Sequence, residues 1–180
     1  MKSIDYRAYF LAQHPGFFDR AYIQSHDEDE IFDEMALELR AFDPDSVSLP
    51  APEGVWFGWY EGEKAPLIEA VRAVDPSWVQ YYQSSGEKPY CAMVNGRIAS
   101  FCRIERMGEF EGLRFGGPGC VGTVPMFRKK GIGLYMVKNA TAILKEQGFD
   151  VSYIHYTGVA PWYARLGYRT VLQWNKHGFV

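Results

Sequence analysis

The sequence predicts an α/β (α+β) fold in which helices flank a mixed central β-sheet, with a helical extension at the N-terminus. Strand-like and helix-like segments alternate from about residue 53 onward. Asn95-Gly96 lies between two apolar runs, which is a strong short-range signal for a β-hairpin. A strand, a glycine loop and an amphipathic helix follow one another between Cys120 and Gly148. These observations place the main domain at 53–180 and the extension at 1–50.

The composition narrows the class of protein. A chain of 180 residues can bury one hydrophobic core of its own. The net charge of −3 gives no reason to expect nucleic-acid binding. The three cysteines lack Cys-x-x-Cys spacing, so we expect reduced thiols and no metal site. Because no apolar run approaches membrane-spanning length and the first residues lack a signal core, we expect a cytoplasmic protein without a membrane partner.

The first 50 residues are predicted to be helical and to pack on the main domain. Short helices are expected at 6–13 and 17–25, separated by Pro15-Gly16. A longer helix is expected at 27–40, because its apolar residues recur at helical spacing and acidic residues load its first turn. This extension would cover the substrate side or form a surface for a homodimer.

The main domain is predicted to follow the order β, α, α, β, β, β, loop, α, β, α, β. Asp75 and Pro76 form a typical helix start, with Asp75 as the N-cap. A glycine-rich stretch at 116–119 interrupts one strand and indicates a bulge or the close approach of another backbone. The predicted segments in chain order are 55–60, 64–74, a short helix after 75, 89–94, 97–106, a strand from 113, 132–147, 151–156, 160–166 and 168–179.

The segment from Cys120 to Gly148 carries the clearest functional signal. Its strand ends at Pro125, and a basic loop with two glycines leads directly into the helix. Unpaired backbone N–H groups and the positive end of the helix dipole therefore converge at the loop. The loop lysines and arginine add positive charge, so the segment is predicted to bind a phosphate or pyrophosphate.

The spacing of the glycines narrows the ligand class. A P-loop would need Gly-x-x-x-x-Gly-Lys-Ser/Thr, which is absent, and a dinucleotide fingerprint would need glycine where the chain has Met136. The remaining pattern, Arg-x-x-Gly-x-Gly after Val124-Pro125, resembles the acetyl-CoA loop of the GNAT superfamily of N-acetyltransferases. The stretch from Trp162 to Tyr168 is similar to that superfamily's Phe-Tyr-x-x-Leu-Gly-Phe segment. The resemblance covers about the last two thirds of the chain.

The resemblance implies that the chain binds acetyl-CoA and transfers its acetyl group to a primary amine of a small molecule or peptide. The cofactor would lie in a gap between the strand before the loop and the strand after the helix. Thr157 stands where many members have asparagine. The implied cofactor-binding residues are Thr123, Val124, Met126, Arg128, Lys129, Lys130, Gly131, Ile132, Gly133, Leu134 and Thr157.

The general acid is predicted as one residue, whereas several candidates remain for the general base. Tyr163 matches the tyrosine that often faces the CoA sulfur in the superfamily, and a phenol with a pKa of about 10 can protonate a leaving thiolate. Members often use a carboxylate on the strand before the loop as base, yet 113–124 contains none. Glu105 and His155 are the candidate bases; a glutamate of the 108–112 loop or a chain of water molecules would be alternatives.

The resemblance implies that the segments carrying several aromatic residues shape the acceptor pocket, and an aromatic wall suits an amine through cation–π contacts. The residues concerned are Trp59, Trp78, Tyr81 and Tyr82. No cysteine is placed to form an acyl-enzyme, so direct transfer is expected. A binding module that senses acyl-CoA with little or no catalysis is the alternative function.

Overall fold

A computed structural model describes residues 4–180 of the protein. Eight strands form one mixed sheet in the order β2-β3-β4-β5-β6-β1-β7-β8, as predicted for the fold class. The strands are β1 Phe32–Glu38, β2 Val55–Trp59, β3 Tyr90–Val94, β4 Arg97–Phe110, β5 Leu113–Thr123, β6 Val151–Thr157, β7 Arg169–Asn175 and β8 Gly178–Phe179. The α-helices are α1 Tyr6–Gln13, α2 Ala21–Gln24, α3 Lys64–Val74, α4 Val79–Ser84, α5 Ile132–Glu146 and α6 Ala160–Ala164.

Two local predictions are confirmed by backbone geometry. Asn95 and Gly96 both have positive φ and join β3 to β4 in a tight hairpin. Asp75 caps the short turn before α4, since its carboxylate accepts a hydrogen bond from the N–H of Ser77 at 2.8 Å. The link predicted at 108–112 is shorter than expected, because β4 continues to Phe110 and turns at Glu111-Gly112.

The prediction of a helix at 27–40 is wrong. Residues of this segment form β1, which lies inside the sheet and pairs antiparallel with β6 on one side and β7 on the other. Met35 packs towards α5 while Ala36 packs towards α1, so the strand is covered on both faces. Its sequence has Asp33, Glu34 and Glu38 among the apolar residues. It therefore shows neither the alternation of a half-buried strand nor the continuous apolar run of a strand covered on both faces, and its apolar spacing also fits a helix. The extension is therefore α-helical only before β1, and a short 3-10 turn at Leu39–Ala41 follows the strand.

Helices cover the two faces of the sheet differently. On one face, called the α5 face, α5 and α6 pack against the middle strands through Leu134, Ile154 and Leu166. The opposite face, called the α3 face, carries two separate layers. Helices α3 and α4 pack on β3 and β4, and the N-terminal helices pack on β1, β5, β6 and β7. Polar residues of β4 and β6 lie between these two layers.

Within residues 4–180, none of the helices combines the length and apolar character needed to cross a membrane.

Candidate active site

A cleft opens in the middle of the sheet where β5 and β6 separate. These parallel strands pair only at Phe115–Val151 and Gly116–Ser152, although both continue well beyond these residues. At the branch point, a Cβ on Gly117 would collide with the carbonyl oxygen of Tyr153, so only glycine fits. The cleft therefore lies between the two strands for which it is predicted.

A β-bulge bends β5 beside the cleft. The register with β4 shifts between Arg103–Gly119 and Phe101–Gly122, and Cys120 has a φ of 45°. An extra residue of this kind bends a strand and increases its local twist. The hydroxyl of Tyr82 donates a hydrogen bond to the carbonyl oxygen of Cys120 at 2.9 Å. Tyr82 is only 3% exposed, so the structure places this predicted acceptor residue in the core, where it holds the bulge.

The basic loop and the start of α5 lie at one mouth of the cleft. Gly131 is the N-cap with a φ of 75°, and no side chain caps the first turn. The amide groups of this turn are thus free to bind an anion. Gly133 is buried against β5, because a Cβ there would lie 2.5 Å from the hydroxyl oxygen of Thr123. Lys129 and Lys130 are exposed beside the turn.

The backbone of Val124, a predicted cofactor-binding residue, is hydrogen-bonded within the protein. Its N–H bonds the carbonyl of Ala99 at 2.9 Å, and its carbonyl accepts from the N–H of Phe127 at 2.8 Å. Val124 therefore has no free N–H to offer a ligand. The side chain of Arg128 is also engaged, since its Nε donates to the carbonyl of Thr123 at 3.0 Å. Met126 is exposed.

Tyr163 lies on the α5 face of the cleft. Its ring is 6% exposed and packs with Leu134 and Ile154. Its hydroxyl makes no hydrogen bond within residues 4–180 and is not among the fully buried polar atoms that lack a partner. Burial raises the pKa of this phenol above its usual value, with smaller contributions from Tyr168 and the nearby cysteines. The phenol is therefore protonated at neutral pH.

Thr157 supports the turn that precedes α6. Its side-chain oxygen accepts a hydrogen bond from the N–H of Val159 at 3.1 Å, and the residue is buried. Thr157 thus organises the chain beside the cleft. Its hydroxyl proton remains available to a ligand.

Glu105 lies on the α3 face of the cleft, and its carboxylate lies over β5. A Cβ on Gly119 would lie 2.5 Å from Oε1 of Glu105, so the carboxylate occupies the space above β5 that a side chain would fill. Arg103 donates to the same oxygen at 2.9 Å. Burial raises the pKa of Glu105, and the charge of Arg103 opposes this shift.

His155 lies on the α3 face of β6, in contact with the N-terminal segment. Its Nδ1 is 3.0 Å from both carboxylate oxygens of Glu34, a residue of β1 that is fully buried. The ring of His14 stacks on His155 with a centroid distance of 4.1 Å. Sequence reasoning missed Glu34 and His14, because a local pattern gives no signal for contacts between segments more than a hundred residues apart.

The structure does not bring all of the predicted acceptor residues together. Trp78 is partly buried in the layer formed by α3 and α4, and Tyr81 is exposed on that layer. Trp59 lies elsewhere, because it lines a depression of about 400 Å³ together with Arg106 and Gln147. Gln147 follows the C-terminal end of α5, so this depression lies at the far end of that helix from the basic loop.

The two sides of the cleft therefore offer different chemistry. On the α5 face, free amide groups and two lysines can bind an anion, and a phenol can donate a proton. On the α3 face, Glu105 and His155 can accept protons or bind a cation. A reaction that joins ligands from the two faces would take place between β5 and β6.

Comparisons with known proteins agree with this geometry. The model of the family described as "Acetyltransferase (GNAT) family" matches residues 56–168. None of the curated proteins matches the sequence.

Solved structures share the fold at low sequence identity. One is a GCN5-related glucosamine N-acetyltransferase region in a fungal multi-domain GH3 β-N-acetylglucosaminidase, with a TM-score of 0.68 and 23% identity over 82% of this chain. Others are GCN5-related N-acetyltransferases from Sphaerobacter thermophilus (TM-score 0.61, 20% identity, 79% of this chain) and Kribbella flavida (TM-score 0.56, 18% identity, 79% of this chain). The alignments span 20%, 49% and 55% of those three chains. At these identities the likeness shows the fold alone.

Replacing Glu105 by glutamine is expected to stabilise the folded protein at neutral pH. Because the pKa of this carboxyl is raised in the folded state, its charged form costs free energy there, and the cost disappears when the carboxyl is protonated in both states. The gain from Glu105→Gln should be present at about pH 7 and lost at about pH 3.5, below the usual carboxyl range. Thermal unfolding at both pH values checks this. Exposed Glu109→Gln is the control, and an equal gain at both pH values would contradict the argument.

Proposed function

Because the chain belongs to the GNAT family of acetyltransferases, we propose that it transfers an acetyl group from acetyl-CoA directly to a primary amine of a small molecule or peptide. One observation supports this reaction above others. The cleft between β5 and β6 separates an anion-binding helix start and a protonated phenol from two proton acceptors on the opposite face. Acyl transfer to an amine needs an acid for the leaving thiolate and a base for the amine.

The residues of the α5 face fit the cofactor. The uncapped first turn of α5 and the exposed lysines of the loop would hold the pyrophosphate through N–H donors and charge. The separated edges of β5 and β6 leave room for an extended arm between them. When bound, acetyl-CoA supplies an activated acetyl thioester.

Direct transfer is favoured over a cysteine acyl-enzyme. Cys120 is the cysteine nearest the cleft, and burial raises the pKa of its thiol to about 12. A thiol of this kind is neutral at physiological pH and is a poor nucleophile. The bulge carbonyl of Cys120, held by Tyr82, gives this residue a structural role.

The charges of the α3 face suit a cationic acceptor. The carboxylate of Glu105 lies over β5 beside the bulge, because a Cβ on Gly119 would lie 2.5 Å from its Oε1, and Arg103 pairs with the same oxygen at 2.9 Å. A protonated amine would find negative charge here, and Glu105 can bind it. One structural relative is described as a glucosamine N-acetyltransferase region. An aminosugar is therefore one acceptor to examine, beside polyamines and peptides.

Reversing the charge of the loop is expected to weaken the binding of acetyl-CoA. In Lys129→Glu/Lys130→Glu, repulsion replaces attraction for the pyrophosphate, and affinity should fall by about tenfold or more, equivalent to at least about 1.4 kcal/mol. The measurement is isothermal titration of acetyl-CoA into each protein. The control Arg40→Glu/Arg169→Glu makes the same change in net charge at exposed residues that both pair with Glu38. Equal affinities for the two double variants would contradict a cofactor site at the loop.

Removing the hydroxyl of Tyr163 is expected to lower turnover without weakening the binding of acetyl-CoA. Tyr163→Phe should reduce kcat by about 100-fold, the lower end of the range for general acid catalysis. Tyr168→Phe is a matched control, because that buried phenol bonds Thr141 and Ser152. It should cost about 1–3 kcal/mol of stability and leave kcat intact.

Thiol release by the wild-type protein and by Tyr163→Phe also separates catalysis from sensing. If the wild-type protein binds acetyl-CoA but releases no thiol with any amine, the alternative of an acyl-CoA sensor gains support. If Tyr163→Phe keeps the wild-type kcat, the phenol is not the acid.

A further inference from the structure

The N-terminal segment places two ionisable residues against His155, beside the cleft. Glu34 lies on β1 and His14 directly follows α1, and both contact His155 of β6. Both residues lie outside 56–168, the range that matches the family. The match to the family therefore does not cover them.

The hydrogen bonds of Glu34 fix the position of the proton on His155. Glu34 is completely buried, and its carboxylate accepts hydrogen bonds from Nε1 of Trp174 at 2.8 Å and from the N–H of Tyr156 at 3.1 Å. Both of these partners can only donate, so the carboxylate acts as an acceptor toward them. Acting as an acceptor toward His155 as well, it pairs with a proton on Nδ1, the ring nitrogen that faces it. In the neutral ring the lone pair therefore lies on Nε2.

The remaining neighbours of His155 leave Nε2 free. Within residues 4–180, its hydrogen bonds run through Nδ1 alone. The rings of Phe10 and Phe17 enclose it on the side of the N-terminal segment. About a quarter of its side chain is exposed, so the ring also reaches solvent.

Charged and titratable groups surround His155 from four elements. They are Glu34 on β1, Glu105 on β4, Tyr156 on β6, and His14 with Arg20 in the N-terminal segment. Burial, together with the charges of His155 and Arg20, lowers the pKa of His14 to about 4. His14 is thus neutral at physiological pH and stacks on His155 without adding positive charge.

We propose that His155 accepts the proton of the attacking amine at Nε2 and that Glu34 is its positioning residue. This inference rests on the proposed acetyl transfer. Glu105 is already paired with Arg103, and its role is to bind the incoming ammonium group. Glu34 holds the ring in the productive tautomer and stabilises the imidazolium that forms.

The proton and electron pairs balance in this scheme. The ammonium group gives one proton to Nε2 of His155, and the freed lone pair forms the new C–N bond at the thioester carbonyl. The C–S bond breaks, and the sulfur takes the hydroxyl proton of Tyr163. The nitrogen loses its second proton, which restores the phenol, and the imidazolium returns its proton to solvent.

The tautomer of His155 can be determined by NMR without measuring enzymatic turnover. Long-range ¹H–¹⁵N NMR of the labelled wild-type protein should show His155 with the proton on Nδ1. In Glu34→Gln the amide N–H₂ can face the ring, so the proton should move to Nε2. Glu28→Gln is the matched control, because Glu28 also bonds a histidine, His177, at 2.7 Å, but on an exposed surface. A wild-type His155 with its proton on Nε2 would overturn the proposal.

The kinetic arm measures thiol release from acetyl-CoA with glucosamine, spermidine and a tripeptide with a free N-terminus. With the amine that gives the highest rate, Glu34→Gln and His155→Gln should each lower kcat by about 100-fold, as expected for loss of a positioned proton acceptor. The KM for acetyl-CoA should not change, and Glu28→Gln should behave as wild type. His155→Gln alters a partly exposed residue and remains informative if Glu34→Gln fails to fold.

The outcomes separate the two proposals. If the wild-type protein acetylates an amine while His155→Gln or a folded Glu34→Gln keeps the wild-type kcat, only the assignment of the base is overturned. If the wild-type protein releases no thiol with any of the three amines, the proposed function fails and the base assignment falls with it.

Discussion

The short contact between the parallel strands β5 and β6 is the constraint on which the site depends. They pair over two residue positions and then separate, and three features shape this branch. Gly117 permits the close approach at the branch point, the bulge at Cys120 bends β5, and Tyr82 holds the bulge carbonyl. A longer ladder would close the sheet and leave the start of α5 facing a continuous surface. The opening thus turns an ordinary helix N-terminus into one wall of a two-sided cleft.

The N-terminal strand links the stability of the sheet to the chemistry of the cleft. Because β1 lies between β6 and β7 and pairs with both, β6 and β7 do not pair with each other. The same strand carries Glu34, whose charge is costly to bury unless donors surround it. Donors from β6 and β7 satisfy it. The pairing that completes the sheet therefore also brings a carboxylate to His155.

Local sequence signals predicted the parts of the structure that depend on local contacts. The hairpin at Asn95-Gly96, the Asp75 cap and the glycine loop before α5 each follow from neighbouring residues. The strand at 32–38 was missed because three charged residues interrupt its apolar ones, so that it shows neither alternation nor a continuous apolar run and its spacing also fits a helix. Glu34, His14 and the role of Tyr82 were not predictable, since their partners are distant in sequence. Trp59 was assigned to the acceptor pocket from its residue type, and the sheet places it at the far end of α5.

The measurement that tests the two-sided cleft most directly is amide hydrogen exchange with and without acetyl-CoA. The first turn of α5 has no side-chain cap, so its amide groups are the donors available to the pyrophosphate. The account predicts that acetyl-CoA slows exchange at 131–134 and at Thr123, beside the separated strands. The exchange of edge strand β2 should not change. Binding that leaves 131–134 unprotected would contradict the account, because the cofactor would then lie outside the cleft.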